Sequence, residues 1–340
     1  MNFKTVGKLT GVLLLALLCL AGCNRMGKGT ETEEETVVYY TVTFDSQGGS
    51  AIDAVQVQGD LVMSVPAEPK REGYLFGGWQ YEGRIWDFSY ETVEGDMTLT
   101  AKWIDPATVF IYETVEGSED DIVLTEVKKT ELTKLEIPKT ISGMTVVAIG
   151  DGVFEKFTSE TVASITVPET VTSVGDRAFA ELGSVELEIK GALTSVGESA
   201  FLGCTGLKRI TLGEGLTEIP VEAFADCTAL KEFVLPKSVT AIRENALEGC
   251  TSVVTVLLYS GVTEIEDSAF DDCTALKTVL YGGSEEQLDE LLDGTQIAGK
   301  NEAFEEAVFL LYSEQKPTEK TAYDGYWHWN ENGKVTKWST

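Results

Sequence analysis

Ala200-Phe-Leu-Gly-Cys-Thr-Gly-Leu-Lys208, Ala223-Phe-Ala-Asp-Cys-Thr-Ala-Leu-Lys231, Ala246-Leu-Glu-Gly-Cys-Thr-Ser-Val-Val254 and Ala269-Phe-Asp-Asp-Cys-Thr-Ala-Leu-Lys277 are four versions of one phrase. Cys204, Cys227, Cys250 and Cys273 stand 23 residues apart. Phe201, Phe224, Leu247 and Phe270 come three residues before them, and Leu207, Leu230, Val253 and Leu276 three after. Self-similarity at such a period describes a solenoid, whose turns bury their apolar faces only against one another. Phe154 and Phe179 add two earlier turns, at intervals of 25 and 22. Six turns are predicted.

Within a turn the periodicity changes. Leu230-Lys-Glu-Phe-Val-Leu-Pro236 reads as a strand with Leu230, Phe233 and Leu235 inward, and Val239 to Ile242 as a short extended piece. Asn245 to Cys250 reads as a helical or 3₁₀ turn inserting Ala246 and Leu247. Stacked, these give a mainly β fold with a parallel sheet along one side. One residue is missing between Val185 and Leu193, and Pro220 replaces a Gly, Glu or Arg; both are expected to bend the stack slightly.

If the apolar positions point inward, the residues between them face out. From the N-terminal end these are Ser164, Thr166, Glu186, Glu188, Arg209, Thr211, Glu232, Val234, Thr255, Leu257, Thr278 and Leu280. The last eight, Arg209 to Leu280, are the candidate ligand-binding residues. The row turns apolar toward its C-terminal end, near Tyr259 and Tyr281, and an exposed apolar patch on a concave surface suggests a docking site. Strand propensity alone also accounts for these side chains, and a C-terminal cap would cover them.

The cysteine ladder occupies one equivalent slot per turn, filled by Leu182 one turn earlier, so the slot is small and apolar. Cys204, Cys227, Cys250 and Cys273 are thus read with Phe201, Phe224 and Phe270 as a structural core ladder. Reduced, buried thiols are the favoured reading, although stacking at roughly 4.8 Å does not forbid a disulfide between neighbours. No CxxC or His/Cys cluster indicates a metal, and no cofactor is expected.

The net charge of −30 disfavours nucleic acid and anionic lipid surfaces as partners and keeps a surface protein soluble. At the N-terminus Lys4 and Lys8 precede the apolar run Val12 to Leu20, too short to span a bilayer but suited to a secretory signal. Asn24 to Thr36 is a polar, acidic tether. From Val37 to Trp103 lies a small β domain whose core is assigned to Phe44, Tyr74, Phe76, Trp79, Trp86, Phe88 and Trp103. Sugar stacking on the tryptophans is the alternative. Residues 105–133 form a hairpin covering the first turn, 134–283 the repeats, and 284–340 a cap of short helices and a hairpin around Asn332-Gly333. His328, the single histidine, sits between two tryptophans and is read as a packed surface residue.

Three resemblances add to this. Leu20-Ala21-Gly22-Cys23 resembles the lipobox of bacterial lipoproteins, which implies cleavage before Cys23 and acylation of its sulfur; residues 1–22 are then a signal peptide and 23–36 a lipidated tether. The phrases TVTFDSQGG, PKREGYLFGGW, WDF and MTLTAKW resemble the internalin B-repeat family, implying a ubiquitin-like β-grasp module over 37–104. The turn L-x-x-I-x-L-P-x-x-V-x-x-I-x-x-x-A-F-x-x-C is similar to BspA-like leucine-rich repeats. That resemblance implies a solenoid on a bacterial cell surface, held to the membrane through Cys23, that engages an extracellular protein or glycan. No catalytic constellation appears. An envelope scaffold without a ligand is the second reading and an unrecognised hydrolase the third; a monomer is expected.

Overall fold

The computed structural model describes residues 37–338 apart from Lys129, 294–300, 318–322, Asp324, Glu331 and Gly333. The signal segment, Cys23 and the tether lie outside the described residues.

The first module is a five-stranded sheet in the order Val55–Gln58, Tyr39–Asp45, Met97–Ile104, Leu75–Tyr81, Arg84–Ile85. Its central pair is parallel, with Val42 opposite Met97, and the other pairs are antiparallel. Alternation places Val42, Trp79, Trp86, Val93 and Leu99 in one core, flanked by Phe44, Phe76, Phe88 and Trp103. Tyr74 departs from the expected core. It precedes the strand and is exposed, with the Arg71 guanidinium over its ring at 4.0 Å. Trp79 and Trp86 are buried, so neither ring is open to a sugar.

Leu75 belongs to the solenoid's core, packing at the joint between the modules. Two ion pairs of opposite sense flank that joint: Lys70 with Glu136 at 2.6 Å, and Lys134 with Glu68 at 2.6 Å. The hairpin Phe110–Thr114 and Asp121–Val127 covers the first turn, pairing in parallel with Met144–Ile149.

Each turn then contributes to three walls. The long strands form one wall, the short strands Ser173–Val174, Ser195–Val196, Glu218–Ile219, Ala241–Ile242 and Glu264–Ile265 a second. The third wall is the segment expected to be helical. It is instead a chain of hydrogen-bonded turns with two left-handed residues per repeat. One precedes the Ala-Phe pair (Arg177, Ser199, Glu222, Asn245, Ser268) and one precedes the cysteine slot (Glu181, Gly203, Asp226, Gly249, Asp272). A left-handed residue ends a helix, so no helix propagates. The freed amides bond to the following turn: Phe179 N–H donates to the Ala200 carbonyl at 2.9 Å, Phe201 to Ala223 at 2.9 Å, Phe224 to Ala246 at 2.9 Å and Leu247 to Ala269 at 2.8 Å. The rings of Phe154, Phe179, Phe201 and Phe224 stack successively at 5.0, 5.5 and 5.2 Å, nearly parallel.

Between the second and third walls, Arg243 binds Glu218 at 2.6 Å, Glu264 at 3.1 Å and Glu266 at 2.7 Å, tying three successive turns together. The Glu266 and Glu218 carboxylates, through their hydrogen bonds, hold the guanidinium further above its ordinary range.

The stack continues past the sixth turn. Phe304 stacks on Phe270 at 4.9 Å, and Val308–Tyr312 pairs in parallel with Thr278–Tyr281. Asn301 closes the third wall. Its side-chain oxygen accepts the Phe270 N–H at 2.9 Å and its amide donates to the Glu266 carbonyl at 3.0 Å, so one buried side chain replaces the backbone of a further turn. The helix Glu285–Leu292, opened by a Ser284–Gln287 capping box, buries Leu288 and Leu291 against the end of the core.

Candidate functional site

The long-strand wall is in two pieces. Lys134–Glu136, Ser164–Val167 and Glu186–Ile189 form one ladder; Glu232–Val234, Thr255–Leu258, Thr278–Tyr281, Val308–Tyr312, Tyr326–Trp329 and Val335–Lys337 form the other. The turn between them contributes no strand. With one residue missing between Val185 and Leu193, the following turn falls out of register with Glu186–Ile189. Leu212 instead bridges Leu193, whose N–H donates to the Thr211 carbonyl at 3.0 Å and whose carbonyl accepts from Gly213 at 2.7 Å. Lys208 to Thr211 are thereby drawn past the row, and no ladder joins them to either flanking strand. Ile210 and Leu212 are only partly buried, whereas Phe233 and Leu235 one turn later are fully enclosed. The short-strand wall breaks at the same turn; the phenylalanine wall does not.

An open groove of about 880 Å³ lies over this interruption. Of the candidate ligand residues, Arg209, Thr211, Glu232 and Val234 line it, as do Ser164, Thr166, Glu186 and Glu188. It also holds three cations that sequence alternation did not single out, Lys190, Lys208 and Lys231. They flank the strands rather than alternate along them, so a strand-face count passes over them. Lys208 pairs with Glu186 at 2.8 Å, which lowers the carboxyl's pKa; Arg209, Lys190 and Lys231 have no carboxylate within salt-bridge distance among the described residues.

The other half of the candidate face is closed. Val234, Leu257, Leu280 and Leu310 are register partners along one outward row. Val234 is 50% exposed, yet Leu257 and Leu280 are 1% and 2% exposed. Trp327 lies over them as part of a second small core, its indole N–H donating to the Tyr281 carbonyl at 3.2 Å. Of the two readings of this apolar end, the cover is the one found: the C-terminal strands enclose Leu257 and Leu280, which are therefore corrected as ligand-binding candidates. Tyr281 points into the solenoid core, and Tyr259 packs at the rim of the cover beneath Lys237. Thr255 and Thr278 remain half-buried. His328 stacks on Trp338 at 3.8 Å.

All four cysteines of the ladder are free and buried. Each thiol donates to a backbone carbonyl one turn back: Cys204 to Phe179 at 3.0 Å, Cys227 to Phe201 at 3.2 Å, Cys250 to Phe224 at 3.1 Å and Cys273 to Leu247 at 3.2 Å. The slot thus accepts a small apolar group that is also a weak donor. Burial pushes all four thiols up, Cys273 to about 12. Among the described residues no group of three or more His, Cys, Asp or Glu converges to hold a metal, and no helix is long and apolar enough to cross a membrane.

Comparison with known proteins follows the same division. The BspA type leucine rich repeat region matches residues 125–254 in six copies, and the Listeria-Bacteroides repeat domain matches residues 40–102. The chain is 39% identical over 90 residues to a protein of Evansella cellulosilytica named a Gly-rich membrane protein, covering 26% of this chain. A second membrane protein of that organism is 40% identical over 67 residues, covering 19% of this chain. The chain spans 10% of the length of each. Among solved structures, a leucine-rich repeat protein of T. pallidum is 29% identical, covering 52% of this chain and 70% of that one with a TM-score of 0.35. A leucine rich cell surface protein of Faecalibacterium prausnitzii is 23% identical, covering 67% and 58% with a TM-score of 0.47. The chain thus carries a Listeria-Bacteroides repeat domain followed by a BspA-type leucine-rich repeat region, in a mainly β solenoid fold.

Proposed function

We propose that this is a non-catalytic, surface-exposed binding or adhesion protein whose long-strand face engages an extracellular protein or glycan. The observation that carries the reading is the polar groove centred on Thr211, the part of that face the C-terminal strands leave open. The repeat family and the membrane and cell-surface names of similar proteins support an exterior location. Attachment through acylated Cys23 follows from Leu20-Ala21-Gly22-Cys23. Immobilised chain, exposed to matrix proteins and a glycan array, is expected to bind saturably. Thr211→Trp, which fills the groove from an exposed position, is expected to remove that binding without changing the fold. If wild-type protein captures nothing, the scaffold reading replaces this one. Cys23→Ala is expected to release the protein from the membrane fraction, and retention there would sink the anchor.

A further inference from the structure

We propose that the polar groove is a site for an acidic glycan in which uronate sugars alternate with neutral ones. This rests on the binding role above and names the class of ligand.

Charge carries the first half of the argument. The chain has a net charge of −30, yet the groove gathers Lys190, Lys208, Arg209 and Lys231 against Glu186, Glu188 and Glu232. Lys208 and Glu186 satisfy each other at 2.8 Å. Three exposed cations and two exposed carboxylates remain, and none of the three cations has a carboxylate within salt-bridge distance among the described residues. Glu169, outside the groove, senses Lys190 only at longer range. A locally positive groove on so acidic a chain is where an anionic ligand meets least repulsion, and the opposite charge speeds encounter. The Arg209 guanidinium is a planar fork that fits a carboxylate, while the two lysines act as point charges.

Side-chain chemistry carries the second half. The gap in the long-strand wall is filled by the chain's own Leu207 to Leu212, with Leu207 buried and Ile210 and Leu212 packed on the core. A ligand therefore meets side chains there, not a free strand edge. No aromatic side chain lines the groove, whereas the centre of a protein–protein contact ordinarily seats aromatic anchors in a dry pocket. The groove offers polar groups instead. Ionised Glu188 and Glu232 only accept hydrogen bonds, which sugar hydroxyls donate, and the Thr211 hydroxyl can donate or accept. Each flank carries one carboxylate and one cation, Glu188 with Lys190 and Glu232 with Lys231. A glycan whose charged and neutral sugars alternate matches that pattern; one charged on every sugar sets acids against Glu188 and Glu232. Exposed Val234 gives the C–H face of a neutral ring an apolar contact.

The test is calorimetric titration of the full chain with oligosaccharides of hyaluronan and of unsulfated chondroitin, both of which alternate glucuronate with a neutral N-acetylhexosamine. Saturable binding is expected. It should weaken about tenfold when the carboxyl groups of the sugar are reduced to alcohols. Arg209→Glu and Lys231→Glu, both at exposed positions, should each weaken it about tenfold at unchanged circular dichroism. Glu232→Ala should weaken it about threefold, through the lost acceptor. The glycan site is overturned if neither oligosaccharide binds, if the reduced sugar binds equally well, or if Glu232→Ala tightens binding. It is also overturned if a glutamate-rich peptide competes as strongly as the sugar, which would mark a site for acidic protein. Matrix or glycan capture by wild-type chain that Arg209→Glu leaves undiminished would overturn the glycan site and leave the binding role standing. Absence of any capture by the wild type would overturn the role itself.

Discussion

Val234 and Leu257 are adjacent rungs of one row, yet one faces solvent and the other is sealed. The two halves of the long-strand wall differ in the same way. From Thr255 onward the ladder is continuous and its outward leucines lie under Trp327. Around Lys208 to Thr211 the ladder is interrupted, its outward residues are charged, and a groove opens. An outward apolar residue in a repeat is therefore evidence of a cover as readily as of a ligand. Which it is depends on what the chain does after the repeats end.

Substitution along that row is the severest test of the contrast. Leu280→Asp places a carboxylate inside a sealed contact and is expected to cost about 4 kcal/mol or more. Val234→Asp, on the same row, should stay within about 0.5 kcal/mol. Urea midpoints of both variants measure this; similar midpoints would mean that Trp327 does not seal the row. Hydrogen exchange probes the backbone directly. Amides of Arg209 to Thr211 are expected to exchange about a thousandfold faster than those of Thr278–Tyr281, and equal protection would restore a continuous ladder.

Truncating the cover is expected to be somewhat milder. Trp327→Ala should cost about 3 kcal/mol and unmask Leu257, Leu280 and Leu310, read as new binding of a hydrophobic dye. A stable variant that binds no dye would place the seal elsewhere.

The thiols run behind both halves and test what these share. Their folded-state pKa values are raised, so their contribution is full below the unfolded value near 8.5 and declines as pH rises toward the folded value, about 12 for Cys273. By pH 10 that one thiol should have lost about 2 kcal/mol, so the thermal midpoint should fall between pH 9 and 11. Tyr281 titrates in the same direction, so a Cys273→Ala chain supplies the control. An unchanged slope in that variant would refute the thiol's part.

The period of 23, the inward residues and the cysteine slot were legible because each is repeated, and repetition averages out local exceptions. The break at Lys208 to Thr211 was only half legible. The missing residue between Val185 and Leu193 was visible, but its effect falls one turn later, where the phrase itself is regular. Phe304 was missed as a further rung because an insertion carrying the helix Glu285–Leu292 separates it by 34 residues from Phe270; its Ala303-Phe304 pair was the available signal. A covering cap was among the sequence readings, but that Trp327 is the side chain lying over the row depends on a parallel pairing of Tyr326–Trp329 with Val308–Tyr312 that no local pattern encodes. The turns beside the cysteines were misread as helical because Asp226 and Asn245 occupy left-handed positions that residues other than glycine usually avoid.

Asn301 has a consequence for how such a chain changes length. The amides of Phe179, Phe201, Phe224 and Leu247 each donate to the next turn, and at Phe270 one amide side chain takes the place of that turn's carbonyl. The terminator meets the preceding turn through the Phe270 N–H and the Glu266 carbonyl. Whole units of 23 residues upstream can therefore be gained or lost without redesigning the ending, and copy number is free to drift while the closure stays the same.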